Sequence, residues 1–135
     1  IDLSKEYDPM LDPIFLKWKS LYYNYMYKLL EKIIIVIKSY CLQNKINLLF
    51  AIGAVYQQFQ SPIDTKLIDY SMPRNKLKEI LKNLKISFVD MTDSLLSAHT
   101  EKDPVIFFDG HINELGHQIF AKEIEKEIRK LDWLS

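Results

Sequence analysis

The sequence is almost without cysteine, and this excludes two classes of small protein. Its 135 residues contain one cysteine, Cys41. A single cysteine cannot form an internal disulfide, and it cannot supply the set of thiolates that a cysteine-built zinc site needs. Cys41 falls on the face of a predicted helix that should be buried. We therefore predict that it is a core thiol.

The chain also lacks an excess of charge of either sign, and it lacks a long apolar run. Eighteen basic residues balance 18 acidic ones, so no net field would attract nucleic acid or an anionic membrane surface. The aliphatic run from Ile33 to Ile37 is far too short to span a bilayer and is flanked by lysines. We expect no nucleic-acid partner and no membrane span, and we predict that the run is a buried helical segment.

Length and hydrophobic content predict one compact unit spanning residues 1–135. A hydrophobic fraction of 48% can fill a core at this length. The first long element should be a helix from Pro13 to about Asn44, with apolar residues recurring every three or four positions. These residues should form one stripe that packs on a sheet or another helix. The stripe consists of Trp18, Leu21, Tyr25, Leu29, Ile33, Val36 and Tyr40.

The rest of the chain alternates between predicted strands and helices. Residues 46–52 should be a buried strand, a helix should begin at Pro73, and residues 86–90 should be a second strand. A short helix over residues 92–98 and a final helix capped by Asn113 complete the order. This order indicates layered α/β architecture with parallel strands. Because two strands make a small sheet, we expect the C-terminal half of a larger domain or a reduced version of one.

A polar loop follows Gly53, at the carboxyl end of the first predicted strand. In open α/β sheets this edge is where ligands usually bind. Two interpretations are open: the loop contributes to a ligand site, or it is a solvated connection. The polar residues concerned are Tyr56, Gln57, Gln58 and Gln60.

Asp109 and His111 lie one residue apart on a predicted loop before the last helix. A carboxylate in this position can fix the tautomer of an imidazole. It can also stabilise the imidazolium that forms when a hydroxyl nucleophile gives up its proton. The pair would then be a general base and its orienting acid. The alternative is a turn aspartate beside an exposed or helix-adjacent histidine.

The segment from Asp109 to Ala121 resembles the last block of the SGNH hydrolases, also called the GDSL esterase and lipase family. The shared features are an Asp and a His in one C-terminal loop, then an Asn, a Gly-His pair and an Ala along the closing helix. Here they are Asp109, His111, Asn113, Gly116, His117 and Ala121. The resemblance implies the C-terminal part of a flavodoxin-like, three-layer α/β domain with parallel strands. It also implies that His111 is the catalytic base and Asp109 the triad acid.

Two features depart from that family's pattern. Only Gly110 separates Asp109 from His111, where the family usually has two residues, and this shorter form resembles some acetyltransferase-like members. The Gly-Asp-Ser nucleophile block and the Gly-x-Asn-Asp block are missing, because Gly53, Gly110 and Gly116 stand in neither sequence. We therefore expect the 135-residue chain alone to be inactive, while the protein from which it derives is an esterase or an acyltransferase.

His117 has two interpretations. It could join Asp109 and His111 in a metal site, but a six-residue step from loop to helix matches no familiar ligand geometry. We expect instead that His117 packs in the first turns of the last helix and bonds to neighbouring backbone. No metal site is predicted.

Together these features predict the acid and base part of a serine-dependent ester hydrolase or O-acyltransferase. Its substrate would be a small-molecule or carbohydrate ester, and the chemistry needs no cofactor. The alternative is a noncatalytic α/β module that serves as a binding or scaffold domain. An uncovered sheet edge or apolar face would favour self-association in either case.

Overall fold

The computed structural model describes residues 21–54, 58–59, 69–100, 102–105 and 111–133. Helices and strands alternate along this part of the chain. In order they are α1 (Leu21–Gln43), β1 (Leu49–Ile52), α2 (Met72–Asn83), β2 (Ser87–Asp90), α3 (Thr92–Ala98) and α4 (Glu114–Lys130). The architecture is therefore mixed α/β, as predicted at this coarse level. The predicted start of α1 near Pro13 lies outside the described residues.

The two strands pair in parallel, and Leu49 and Ile52 align with Ser87 and Asp90 respectively. The connection between them runs through α2, as a parallel crossover requires. Both strands therefore end at the same edge of the sheet. The prediction of parallel strands is confirmed, although each strand is shorter than its apolar run.

The sheet separates two apolar clusters. The first is built mainly from α1 and α2, and its buried members are Tyr23, Tyr27, Ile34, Ile52, Ile80, Leu81 and Ile86. The second lies against α3 and α4, and its buried members are Val89, Met91, Leu95 and Val105. Alternate strand residues reach opposite clusters, because successive side chains of a strand point to opposite faces. Thus Phe88 packs on the first cluster and Val89 belongs to the second. Ala51 is exposed, so β1 is less completely buried than predicted.

The predicted packing stripe of α1 is wrong. The core contacts come from a different line of side chains that includes Tyr23, Tyr27, Ile34 and Cys41. Most of the predicted stripe is exposed: Tyr25 63%, Leu29 40%, Ile33 49%, Val36 67% and Tyr40 61%. Trp18 and the side chain of Leu21 lie outside the described part. The helix is apolar on two sides, and contact with α2 and the sheet selects one of them. Of the run from Ile33 to Ile37, only Ile34 is buried, whereas the core position of Cys41 is confirmed.

The turns that follow the C-terminal ends of α1, α2 and α4 use a residue other than glycine at the position with a left-handed backbone conformation. Lys45, Lys85 and Asp132 each have a positive φ, at 56°, 52° and 55°. After α2, the backbone N–H of Ile86 donates to the Leu81 carbonyl at 2.9 Å, and the N–H of Lys85 donates to the Lys82 carbonyl at 3.0 Å. This left-handed turn satisfies carbonyl groups at the helix end. The conformation costs an L-residue roughly 1 kcal/mol that a glycine would not lose.

The last helix begins as predicted. Asn113 is its N-cap, and Glu114 lies in the first turn, where a negative charge suits the helix dipole. Arg129 and Lys130 lie in the last turn. Pro73 is in the first turn of α2, which starts one residue earlier than predicted. In the described ranges, no helix combines the length and apolarity needed to cross a bilayer.

Candidate functional site

His111 lies in the loop that leads into α4, two residues before the N-cap, and its side chain is exposed. An imidazole in this position is accessible to a reacting hydroxyl group. Asp109, the predicted orienting acid, falls outside the part of the chain that the structure describes. The structure thus locates the predicted base, and the predicted pair stays a hypothesis.

Asn113 anchors this loop through three hydrogen bonds. Its side-chain carbonyl accepts from the backbone N–H of Gly116 at 2.9 Å, which caps the helix. Its side-chain amide donates to the Pro104 carbonyl. Its backbone N–H donates to the Val105 carbonyl at 3.1 Å. The residue two positions after His111 is therefore tied both to α4 and to the preceding segment.

Gly116 allows α4 to approach that segment closely. A Cβ atom at this position would lie 2.1 Å from Cγ2 of Ile112 and 2.5 Å from the carbonyl oxygen of Val105. Both separations are far below van der Waals contact, so a larger residue would displace the helix or the segment. The Asn and Gly of the family-like block thus have a clear structural role here: they hold the first turn of α4 against Val105.

The loop and the first turns of α4 flank the edge at which both strands end. Gly53 directly follows β1, and a Cβ atom there would lie 2.9 Å from the ring of Phe120 in α4. Met91 directly follows β2 and shares a buried cluster with Val105, against which Phe120 packs. This is the carboxyl edge of the sheet, where ligands bind in open α/β folds.

Asp90, the last residue of β2, carries a second polar cluster at this edge. Its carboxylate accepts from Nζ of Lys78 at 2.7 Å and from the backbone N–H of Thr92 at 3.2 Å. Nε of Arg74 lies 3.5 Å away. Burial acts to raise the pKa of Asp90, but the hydrogen bonds and the Arg74 charge outweigh it and hold the pKa below its ordinary value. The group is therefore an ionised, paired carboxylate.

Sequence reasoning did not single out Asp90. The available signal was its position as a carboxylate at the end of a buried strand, close to a following helix. Its basic partners come from α2, however, and Lys78 precedes Asp90 by 12 residues. From the sequence alone, the lysines of α2 indicate only a solvated surface.

A cavity of about 450 Å³ opens beside the end of β1, between α1 and α2. Its walls are mostly apolar, and its polar side chains are Gln58, Tyr70, Arg74 and the hydroxyl of Tyr27. Burial, with Tyr23 as a neighbour, raises the pKa of Tyr27 to about 12, so this hydroxyl stays protonated at neutral pH. Gln58 is thus the member of the predicted polar loop that lines a cavity. Tyr56, Gln57 and Gln60 are not among the described residues.

Two other histidines have identifiable positions. Nδ1 of His99 accepts from the backbone N–H of Val105 at 3.3 Å, and the His99 ring lies 4.7 Å from that of Phe59. His99 therefore holds the segment on which α4 rests, a role that the sequence did not suggest. The side chain of His117 is exposed, contrary to the predicted packing, while its backbone N–H donates to the Asn113 carbonyl. Within the described ranges, no group of three His, Cys, Asp or Glu residues could hold a metal ion.

Comparison with protein-family models, with curated proteins and with solved structures gave no match. The resemblance to the SGNH hydrolases is therefore a resemblance of the residue pattern from Asp109 to Ala121 alone. Three of the described serines already have partners: the hydroxyls of Ser71, Ser94 and Ser97 donate to Asp69, Glu123 and the Asp93 carbonyl. Chemically, the arrangement offers an accessible imidazole on an anchored loop.

Proposed function

We propose that this chain is the C-terminal portion of an SGNH-type serine esterase or O-acyltransferase, in which His111 is the general base and Asp109 its orienting acid. The observation that carries the proposal is the exposed imidazole of His111 on a loop that Asn113 fixes to α4, a helix that packs beside the carboxyl edge of a parallel sheet. The likeness of residues 109–121 to the family's last block supplies the reaction class. The flavodoxin-like, three-layer form of the domain belongs to the same proposal.

The proposed chemistry uses His111 twice. It takes the proton of a serine hydroxyl as the oxygen attacks the ester carbonyl, and it returns that proton to the departing alcohol. An acyl-serine remains. His111 then takes a proton from water or from an acceptor alcohol as its oxygen attacks the acyl group, and it returns that proton to the serine oxygen as the acyl–serine bond breaks. The substrate is a small-molecule or carbohydrate ester, and no cofactor takes part.

The nucleophile in this proposal comes from a Gly-Asp-Ser segment of the longer protein. The 135-residue chain alone should therefore show no His111-dependent ester turnover. The ester turnover of the 135-residue chain can be compared directly with that of the longer protein. Turnover that depends on His111 in the short chain would show that the nucleophile lies within residues 1–135.

The test is a comparison of His111→Gln with His117→Gln in the longer protein. Both histidines are exposed and lie six residues apart, but only His111 precedes the helix cap. Hydrolysis of p-nitrophenyl acetate should fall by about 10³-fold or more for His111→Gln, because the serine loses its base. His117→Gln should stay within about twofold, as expected for a residue outside the triad. Equal activity of the two variants would contradict the proposal.

A second candidate function is a noncatalytic binding or scaffold module. The observation that favours it is the exposed apolar surface of α1, which suits contact with another protein. In that case Asn113 and Gly116 serve only to seat the last helix. A longer protein that reacts with no fluorophosphonate probe and hydrolyses no ester would support this function over the enzyme.

A further inference from the structure

The exposed apolar side chains of the described residues are concentrated on one helix. Of ten large hydrophobic residues that are exposed, eight lie on α1 and one each on the following loop and on α4. Contiguous apolar surface of this kind usually marks an interaction site. Five of the eight form a line that we call the outer stripe: Tyr25, Leu29, Ile33, Val36 and Tyr40.

The outer stripe lies on one side of α1. Its members follow one another at steps of four, four, three and four residues, which keeps them aligned on a helix of 3.6 residues per turn. At this pitch the stripe lies roughly 130° around the helix from the side chains that enter the core. A partner can therefore cover it without disturbing the contacts of Tyr23, Tyr27 and Ile34.

The order of side chains along the outer stripe is nearly palindromic. Tyrosines stand at both ends, Leu29 and Val36 lie inside them, and Ile33 is central. When two copies of α1 lie antiparallel, Tyr25 of one copy meets Tyr40 of the other, and Leu29 meets Val36. Each surface is then its own complement, which is the condition for a two-fold symmetric interface. The antiparallel direction also sets the positive end of each helix dipole beside the negative end of the other.

The area of the outer stripe suits such a pair. With about 200 Å² for a whole tyrosine side chain and somewhat less for the others, the five residues expose roughly 500 Å² on each copy. Complete burial of both stripes would remove about 1,000 Å² from water, which is the lower limit for a specific protein interface. The five members of the stripe carry no charge, so none of their side chains would bring a charged group into the interface.

We propose that this chain forms a symmetric dimer through the outer stripes of two antiparallel α1 helices. The partner is a second copy of the same chain. The dimer does not depend on any role of His111 in catalysis.

The first experiment measures the mass of the 135-residue chain by sedimentation equilibrium. The expected mass is twice the 16.0 kDa of one chain. Val36→Glu should raise the dissociation constant roughly 100-fold or more, because each dimer would then bury two carboxylates between its apolar outer stripes. Leu42→Glu is the matched control: Leu42 is 68% exposed and Val36 67%, but Leu42 lies about 120° around the helix from Val36.

Any one of three results would overturn the dimer. The first is a native chain that sediments at 16.0 kDa throughout the micromolar range. The second is a dimer that Val36→Glu leaves intact, and the third is a dimer that Leu42→Glu dissociates as strongly as Val36→Glu does. If the native chain is monomeric, the outer stripe is instead a contact surface for a different protein or for another segment of a longer chain. Far-UV circular dichroism of both variants checks that α1 remains folded.

A cross-linking experiment tests the direction of the helices. In a Cys41→Ala background, Tyr25→Cys and Tyr40→Cys proteins are treated with a short bismaleimide, first separately and then as a mixture. The antiparallel dimer predicts covalent dimers in the mixture and few in either protein alone. Efficient cross-linking of Tyr25→Cys alone would show a parallel pair and contradict the proposal.

Discussion

Gly116 and Val105 lie so close together that a Cβ atom on Gly116 would come within 2.5 Å of the Val105 carbonyl oxygen. The contact joins the first turn of α4 to the segment that precedes the His111 loop. It explains why a glycine stands in a helix that otherwise contains none. The position of His111 thus depends on a residue that has no chemistry of its own.

Gly116→Ala should destabilise the protein by about 2 kcal/mol, because the added methyl group overpacks the contact with Ile112 and Val105. At a helix position without such a contact, the same substitution would instead stabilise the protein by about 1 kcal/mol, because alanine is the better helix former. Urea unfolding measures the difference. Gln118→Ala, at an exposed position of the same helix, is the control and should change stability little. A stabilising Gly116→Ala would show that the contact can relax.

Asn113→Ala should cost about 1–2 kcal/mol, since it removes the helix cap together with the bond to Pro104. Asn113→Asp separates these two bonds, because a carboxylate still accepts from Gly116 but cannot donate to Pro104. Because a carboxylate oxygen then faces the Pro104 carbonyl oxygen, we expect the Asn113→Asp variant to retain only the part of the stability that the cap contributes. Equal losses in denaturant unfolding would mean that the bond to Pro104 matters more than the cap.

The Asp90 ion pairs should make stability depend on pH in the acid range. Because the pKa of Asp90 is lower in the folded than in the unfolded chain, the stabilisation is present above the unfolded value of about 4 and is lost as pH falls through the folded value. Asp90→Asn should therefore be less stable than the native chain at pH 7, and this difference should shrink below about pH 4. Urea unfolding at several pH values tests this.

Asp93→Asn is the control for that series. The Asp93 side chain is 90% exposed and its contact with Arg74 is 3.5 Å long, so water screens the pair and little stability depends on it. If stability depends on pH in the same way in Asp90→Asn as in the native chain, the assigned role of the Asp90 carboxylate is contradicted.

Lys85→Gly should stabilise the protein by about 1 kcal/mol, because Lys85 has a φ of 52° that glycine adopts without strain. Part of the gain is offset by the greater freedom of glycine in the unfolded chain. Lys82→Gly, inside α2, should have the opposite effect, with a loss of about 1 kcal/mol. Thermal unfolding of the two variants distinguishes the positions. A loss of stability in Lys85→Gly would show that the lysine side chain contributes contacts that outweigh the strain.

Several features of the fold followed from the sequence because neighbouring residues decide them. The cap of α4 needs only Asn113 and the N–H groups of the next turn, and the charges at both helix ends lie within a few residues of those ends. Pro73 marks the first turn of α2 in the same local way. The short strands and the crossover helix between them indicated parallel pairing, and the structure confirms it.

Other features depended on residues that are distant along the chain. Both sides of α1 are apolar at helical spacing, so periodicity could not distinguish the buried Tyr27 from the exposed Tyr25, and packing against α2 and the sheet decided between them. The pairing of Asp90 with Lys78, the support that His99 gives to Val105, and the need for glycine at position 116 arise from contacts across elements. The sequence by itself determined the order of the helices and strands and the cap of α4, because these depend on the spacing of apolar residues and on local hydrogen bonds. Only the tertiary structure decided which faces are buried and which polar groups meet, because these outcomes depend on how the elements pack.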